Sequence, residues 1–295
     1  MHLKMDFEIE GKVAIVTGAG SESSSPSTST SPQCLYHSTD VTSWPALTSL
    51  FDFTLSHFPT GIDILVPGAG LFDPLLSNFY NPPGTPLSQD THHLSPPPSL
   101  SRAPKEDHPT PPPKINHFPG SFHTLNVNIT HPIRLTQMGV EYWTSSKRSG
   151  RVVCVGSVAG LVGLMETPLY HASKFAITGF VRSLAGLEEL GIRVTAIAPA
   201  LVQTPIWSHQ PDKLAMLTSD QKWIARETVA EAMLELLTRE EYVGGTILEV
   251  TGSGTRVVKV TGDEGPTFDP GYGIGNLEGY KEETYNKLRE GKMGM

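Results

Sequence analysis

Apolar residues fall along this chain in two rhythms, short continuous runs and longer stretches of helical spacing. The runs are Lys12-Val13-Ala14-Ile15-Val16-Thr17, Ile62-Asp63-Ile64-Leu65-Val66, Arg151-Val152-Val153-Cys154-Val155, Gly191 to Pro199, and Thr246 to Val250. Runs this short and rich in β-branched residues predict strands buried on both faces, as in a parallel sheet. Leu35-Tyr36-His37 predicts one more short strand. Between the runs, apolar positions recur every three or four residues. One such stretch carries Trp44, Leu47, Leu50, Phe51, Leu55 and Phe58, with Ser43 as cap and Gly61 as stop. Others run from Phe122 through Leu125, Ile129, Ile133, Leu135 and Met138 to Trp143, from Phe175 to Leu187, and from Val229 to Leu237. Each predicts an amphipathic helix, and a short helix is expected near 278–289. Parallel strands need crossover helices, so the alternation predicts an α/β fold with a doubly wound parallel sheet.

Two stretches break the rhythm. Residues 21–33 are almost wholly Ser, Thr and Pro, and read as a low-complexity loop. Residues 81–120 are proline-rich and carry His92, His93, His108 and His117, but unpatterned sequence offers a metal no fixed geometry. From 252 to 295 the chain is a polar, glycine-rich tail. Nothing marks a second core, so residues 1–295 are read as one domain.

Composition narrows the functional classes. The net charge is −8 and the pI about 5.7, which argues against nucleic acid as a partner. Cys34 and Cys154 form no metal or redox spacing, and Cys154 lies inside an apolar run. No apolar run approaches the roughly 18 residues of a membrane span, and the first residues lack the apolar centre of a signal peptide. The expectation is a cytoplasmic protein with no membrane span and no bound metal.

Chemistry concentrates between Ser157 and Lys174. Ser157 ends a predicted buried strand, and Tyr170 and Lys174, four apart at a helix start, share one helical face. A phenol with a pKa near ~10 is a poor acid or base at neutral pH. A neighbouring ammonium could lower it, and Ser157 could hold a substrate oxygen beside it. Carboxyl ends of parallel strands are where ligands bind. No Gly-x-Ser-x-Gly elbow surrounds Ser157, since position 155 is valine, so a hydrolase is disfavoured.

These residues resemble the short-chain dehydrogenases/reductases, single Rossmann domains that move hydride between NAD(P) and an alcohol or ketone. The resemblance rests on Ser157 with Tyr170-His171-Ala172-Ser173-Lys174, on Pro67-Gly68-Ala69-Gly70, and on Asp40-Val41 after a strand. Leu125-Asn126-Val127-Asn128 and the loop from Ile197 to Pro205 complete it. The chain looks most like the branches containing 15-hydroxyprostaglandin dehydrogenase and fungal secondary-metabolite dehydrogenases. The resemblance implies catalytic roles for Asn128, Ser157, Tyr170 and Lys174. Tyr170 would be the acid/base, and Lys174 would lower its pKa and hold the nicotinamide ribose. Ser157 would bind the substrate oxygen, and Asn128 would anchor a water leading to Lys174. Cofactor contacts would come from Gly18, Asp40, Val41, Ala69, Gly70, Tyr170, Lys174, Pro199, Val202 and Thr204. The cofactor would be NAD or NADP, with NAD favoured by the branch. The substrate would be a small apolar hydroxy or keto compound, facing Trp207, Met216, Leu217 and Trp223. A homodimer or homotetramer is implied as well.

One part of the pattern departs from the family. Where its nucleotide loop has a second and third glycine, this chain has Glu22 and Ser24. The second strand with its flanking helices is expected to be missing, and with it the residue that selects NAD or NADP. The alternative reading is therefore a catalytically silent relative that acts by binding.

Overall fold

The computed structural model describes residues 7–19, 34–82, 121–208, 211–214, 216–259 and 277–292. Glu22 and Ser24, the loop 21–33, the four histidines of the proline-rich stretch and much of the polar tail lie outside them.

Six strands form one sheet in the order β1-β2-β3-β4-β5-β6. They are β1 (Ala14–Thr17), β2 (Ile64–Pro67), β3 (Gly150–Val155), β4 (Ile192–Pro199), β5 (Ile247–Thr251) and β6 (Gly254–Val257). The first five are parallel, with Ala14 opposite Ile64, Gly150 opposite Ile192 and Ala196 opposite Ile247. Every residue of β4 is buried, as its continuous apolar run requires of a central strand.

Helices cover both faces, as expected. On one side lie α1 (Trp44–His57), α3 (His131–Ser145) and α4 (Pro168–Ser183). Their Leu47, Phe51, Leu135, Trp143, Ile177 and Val181 pack with Ile15, Leu65, Val152 and Val194. On the other side α7 (Arg226–Thr238) sets Ala232, Leu236 and Leu237 against Val153, Ile197, Leu248 and Val250. Successive strand residues thus feed opposite cores. Three short helices also flank the sheet's carboxyl edge: α2 (His123–Leu125), α5 (Pro205–Ser208) and α6 (Pro211–Leu214). The last helix, α8 (Leu277–Arg289), reaches the first core through Leu288.

Two expectations fail. Leu35-Tyr36-His37 forms no strand, and Tyr36 is 75% exposed. Among the described residues nothing pairs with the outer side of β1, so this segment joins no ladder, and Val16 on β1 is itself 52% exposed. The other failure is β6, which turns back antiparallel on β5 through Thr251 and Gly254 where a polar tail was expected. Gly254, at φ +126°, permits the reversal.

Candidate active site

The parallel strands bring their carboxyl ends to one edge, and α4 begins there. At the end of β3, Ser157 is extended and caps a 3-10 turn, Val158–Gly160. Its Oγ accepts from the Ala159 amide at 3.1 Å and donates to the Pro199 carbonyl at 3.5 Å. The turn nests on α4: a Cβ on Gly160 would lie 2.6 Å from the Lys174 carbonyl oxygen. Pro168 opens α4, Tyr170 stands in its first turn, and Lys174 follows one turn later.

Ser157, Tyr170 and Lys174 are therefore brought together. The Ser157 hydroxyl lies near enough to the Tyr170 phenol to favour its ionised form. The Lys174 Nζ lies 5.4 Å from the Tyr170 ring centroid and donates to the Val155 carbonyl at 2.8 Å. Burial pushes the lysine's pKa down to about 8. The phenol departs from the sequence expectation. Burial raises its pKa, the Ser157 hydroxyl opposes that rise, and the Asp73 charge adds to it.

Asn128 sits in a π-helical turn, Asn126–Thr130, between α2 and α3. Such turns recur at functional sites because they re-aim side chains. Its Oδ1 accepts from the Leu71 amide at 2.8 Å, and its Nδ2 donates to the Leu71 carbonyl and to Ser173 Oγ. The side chain thereby ties the loop after β2 to α4.

The residues assigned to the cofactor line the same edge with unequal definition. Gly18, at φ +82°, ends β1 so close to the next loop that a Cβ would lie 2.6 Å from the Ala69 nitrogen. The Gly68 amide donates to Thr17 Oγ1 at 3.1 Å, and Gly70 lies against Asn128. Pro199 accepts from Ser157, and Val202 bridges to Ile224. Thr204 accepts through its carbonyl from Trp207 at the start of α5. Asp40 accepts from both the amide and the hydroxyl of Thr42, and Val41 packs on the core. For these last two the structure shows a turn and a packing contact.

Several residues of the site escaped the sequence reading. Phe72 packs edge-on to Tyr170 at 4.7 Å and to Trp207 at 5.3 Å, and Trp207 continues to Trp223 at 5.7 Å. Met216, by contrast, is 43% exposed. His131 is buried, bonds Thr17 Oγ1 through Nε2 at 3.1 Å, and is held neutral by burial with its pKa lowered to about 4. Its position between Val127 and Leu135 on an apolar helical face was the available signal. Asp73 and Lys213 are buried beside Phe72, and no pattern in the sequence marks them.

Residues 121–215 match the family model described as short chain dehydrogenase. 15-Hydroxyprostaglandin dehydrogenase (NAD+) of Rattus norvegicus is 26% identical over 147 residues, 44% of this chain and 55% of that protein. The chain thus spans about half the length of that relative and of its Mus musculus counterpart, 54% for the latter. Short-chain dehydrogenase/reductase prx7 of Penicillium rubens is 24% identical over 261 residues, 85% of this chain and 79% of that protein. The 3-oxoacyl-[acyl-carrier-protein] reductase FabG of Thermotoga maritima is 33% identical over 134 residues, 43% of this chain and 54% of that protein. Among solved structures, a 4-hydroxyisoleucine dehydrogenase mutant complexed with NADH and succinate superposes with TM-score 0.51 at 20% identity, over 72% of this chain and 75% of that one. ElxO with NADP bound superposes with TM-score 0.50 at 19% identity, again over 72% and 75%. These two superpositions show a shared fold.

Proposed function

We propose that the chain belongs to the short-chain dehydrogenases/reductases, whose model matches residues 121–215, and that it is an NAD(P)-dependent oxidoreductase acting on an apolar secondary alcohol or ketone. The observation that carries this reading is Lys174 Nζ held 5.4 Å from the Tyr170 ring one helical turn on, with Ser157 at the end of β3 beside them, at the carboxyl edge of a parallel sheet. The donor set fits the nicotinamide half of a dinucleotide: a phenol, a hydroxyl and an ammonium beside the loop that follows β4. The cofactor, when bound, supplies the hydride carrier.

Tyr170 exchanges a proton with the substrate oxygen through its hydroxyl. Ser157 holds that oxygen in place and stabilises the charge that develops on it. Lys174, fixed by Val155, sets a positive charge near the phenol ring and would hold the nicotinamide ribose when the cofactor is bound. Asn128 locks the loop carrying Leu71 and Phe72 against α4 and so holds the geometry of both. Phe72, Trp207 and Trp223 form an aromatic wall beside Tyr170, which supports an apolar substrate. Pro199, Val202 and Thr204 are assigned to the nicotinamide side, and Gly18, Ala69 and Gly70 to the rest of the cofactor. NAD is preferred, in keeping with the NAD-linked relatives.

Fluorescence titration with NADH and NADPH tests the proposal. Saturable quenching or transfer from the tryptophans is expected, stronger with NADH. No binding of either at millimolar concentration would remove the oxidoreductase reading.

A further inference from the structure

β1 and β2 leave the sheet side by side, with Thr17 opposite Pro67 as the last pair of their ladder. Beyond that pair the two chains interlock backbone to backbone. A Cβ on Gly18 would lie 2.6 Å from the Ala69 nitrogen, and one on Gly68 would lie 2.8 Å from the Thr17 carbonyl oxygen. The turn then runs outward, with Ala69 half-buried and Gly70 exposed at the carboxyl edge. Gly68, Ala69 and Gly70 offer almost no side chain to pack, so hydrogen bonds must set where this turn sits.

Two side chains from one helical stretch, three residues apart, supply those bonds. Asn128 holds the far end through both the amide and the carbonyl of Leu71. His131 holds the near end through Thr17: its Nε2 lies 3.1 Å from Thr17 Oγ1, which accepts from the Gly68 amide at 3.1 Å. The ring's other nitrogen fixes the direction of this relay. Nδ1 lies 3.2 Å from the Val127 carbonyl, which can only accept, so Nδ1 carries the proton of the neutral ring. Nε2 is then a bare lone pair, and the Thr17 hydroxyl must donate to it. Giving its one proton to His131 leaves the oxygen's lone pairs for the Gly68 amide. His131 and Thr17 are both buried, so water does not replace a lost partner.

We infer that His131 is a positioning residue of the cofactor cradle: through the Thr17 hydroxyl it fixes the Gly68 end of the turn after β2, and so sets Gly18, Ala69 and Gly70 where the dinucleotide is received. This rests on those glycine turns being the cofactor's side of the site. His131 itself is buried, and acts through Thr17 rather than by touching cofactor or substrate.

Substitution separates the two ring nitrogens. His131→Gln carries an oxygen out to where Nε2 stood and keeps an acceptor for Thr17. His131→Asn reaches only the position of Nδ1 and leaves Thr17 without one, and Thr17→Val removes the hydroxyl at nearly constant shape. The probe is the full chain with nitrogen-isotope-labelled histidine and glycine, the His131 ring signals being assigned by their loss in His131→Gln. Without cofactor, the ring should carry its proton on Nδ1. Gly68 amide exchange should be slow in the native and His131→Gln proteins and about tenfold faster in His131→Asn and Thr17→Val. The NADH dissociation constant should rise about tenfold in the same two variants and stay within about twofold in His131→Gln. A proton on Nε2, or unchanged Gly68 exchange in folded His131→Asn or Thr17→Val, would overturn the inference. So would unchanged NADH affinity in those variants of a chain that binds NADH, and each of these results leaves the oxidoreductase reading standing. Failure of both variants to fold would make the relay a matter of stability only, and would overturn the inference too. Native protein that binds neither NADH nor NADPH would remove the oxidoreductase reading, and the cradle role with it.

Discussion

At the scale of single residues, the site sets a phenol that burial resists ionising beside a lysine that burial resists charging. Both shifts have one cause, the removal of the charged form from water. His131 shows the same cause acting on stability. Its folded pKa of about 4 lies below the ordinary 6.5, so the unfolded chain binds the proton more tightly. Stability from this residue is complete above about pH 6.5 and is lost as the pH falls toward about 4, on the order of 3 kcal/mol in all. Denaturant midpoints measured across that window should fall with acid in the native sequence. His131→Asn should flatten that part of the slope, and an unaltered slope would contradict the assignment. Tyr170 and Lys174 were legible because a four-residue helical spacing is written in the chain itself. Asp73 was not: nothing in the sequence marks it for burial, which only the fold imposes.

At the scale of elements, the site depends on how closely the Ser157 turn sits on α4. Gly160 allows that contact, and a methyl group there would press on the Lys174 carbonyl oxygen. Gly160→Ala should therefore lower stability by about 1–3 kcal/mol and lower kcat/KM by more than the stability loss explains, since Ser157 moves relative to Tyr170. Chemical denaturation together with steady-state kinetics checks this, and native kinetics with native stability would refute it. The amphipathic helices and buried strands were legible because each carries its own periodicity. Two short elements were not. Leu35-Tyr36-His37 has strand-forming residues but no ladder to join, and Gly254-Thr255-Arg256-Val257 has exposed, polar residues but finds the edge of β5. A strand needs a partner as well as a propensity. The π-helical turn at Asn128 was equally invisible, because its residues suit an α-helix as well.

At the scale of the whole molecule, one sheet separates two apolar cores, and α7 supplies the helical side of the second. Leu236 is fully buried there. Leu236→Ala should cost about 2–5 kcal/mol, read as a lower denaturation midpoint at constant slope, and a smaller loss would mean that α7 is not the main cover of that face. The strand order is sequential, and one side of β1 has no neighbour among the described residues. The carboxyl edge where Ser157, Tyr170 and Lys174 meet is formed by β2 to β4 and the start of α4. The account as a whole stands on proton transfer by Tyr170, and the most direct measurement is the rate of NADH formation from secondary alcohols by the native chain and by Tyr170→Phe, with NADH affinity measured alongside. The expected result is a loss of about 10²-fold or more in rate at nearly unchanged affinity. A Tyr170→Phe protein that turns over at the native rate would contradict it.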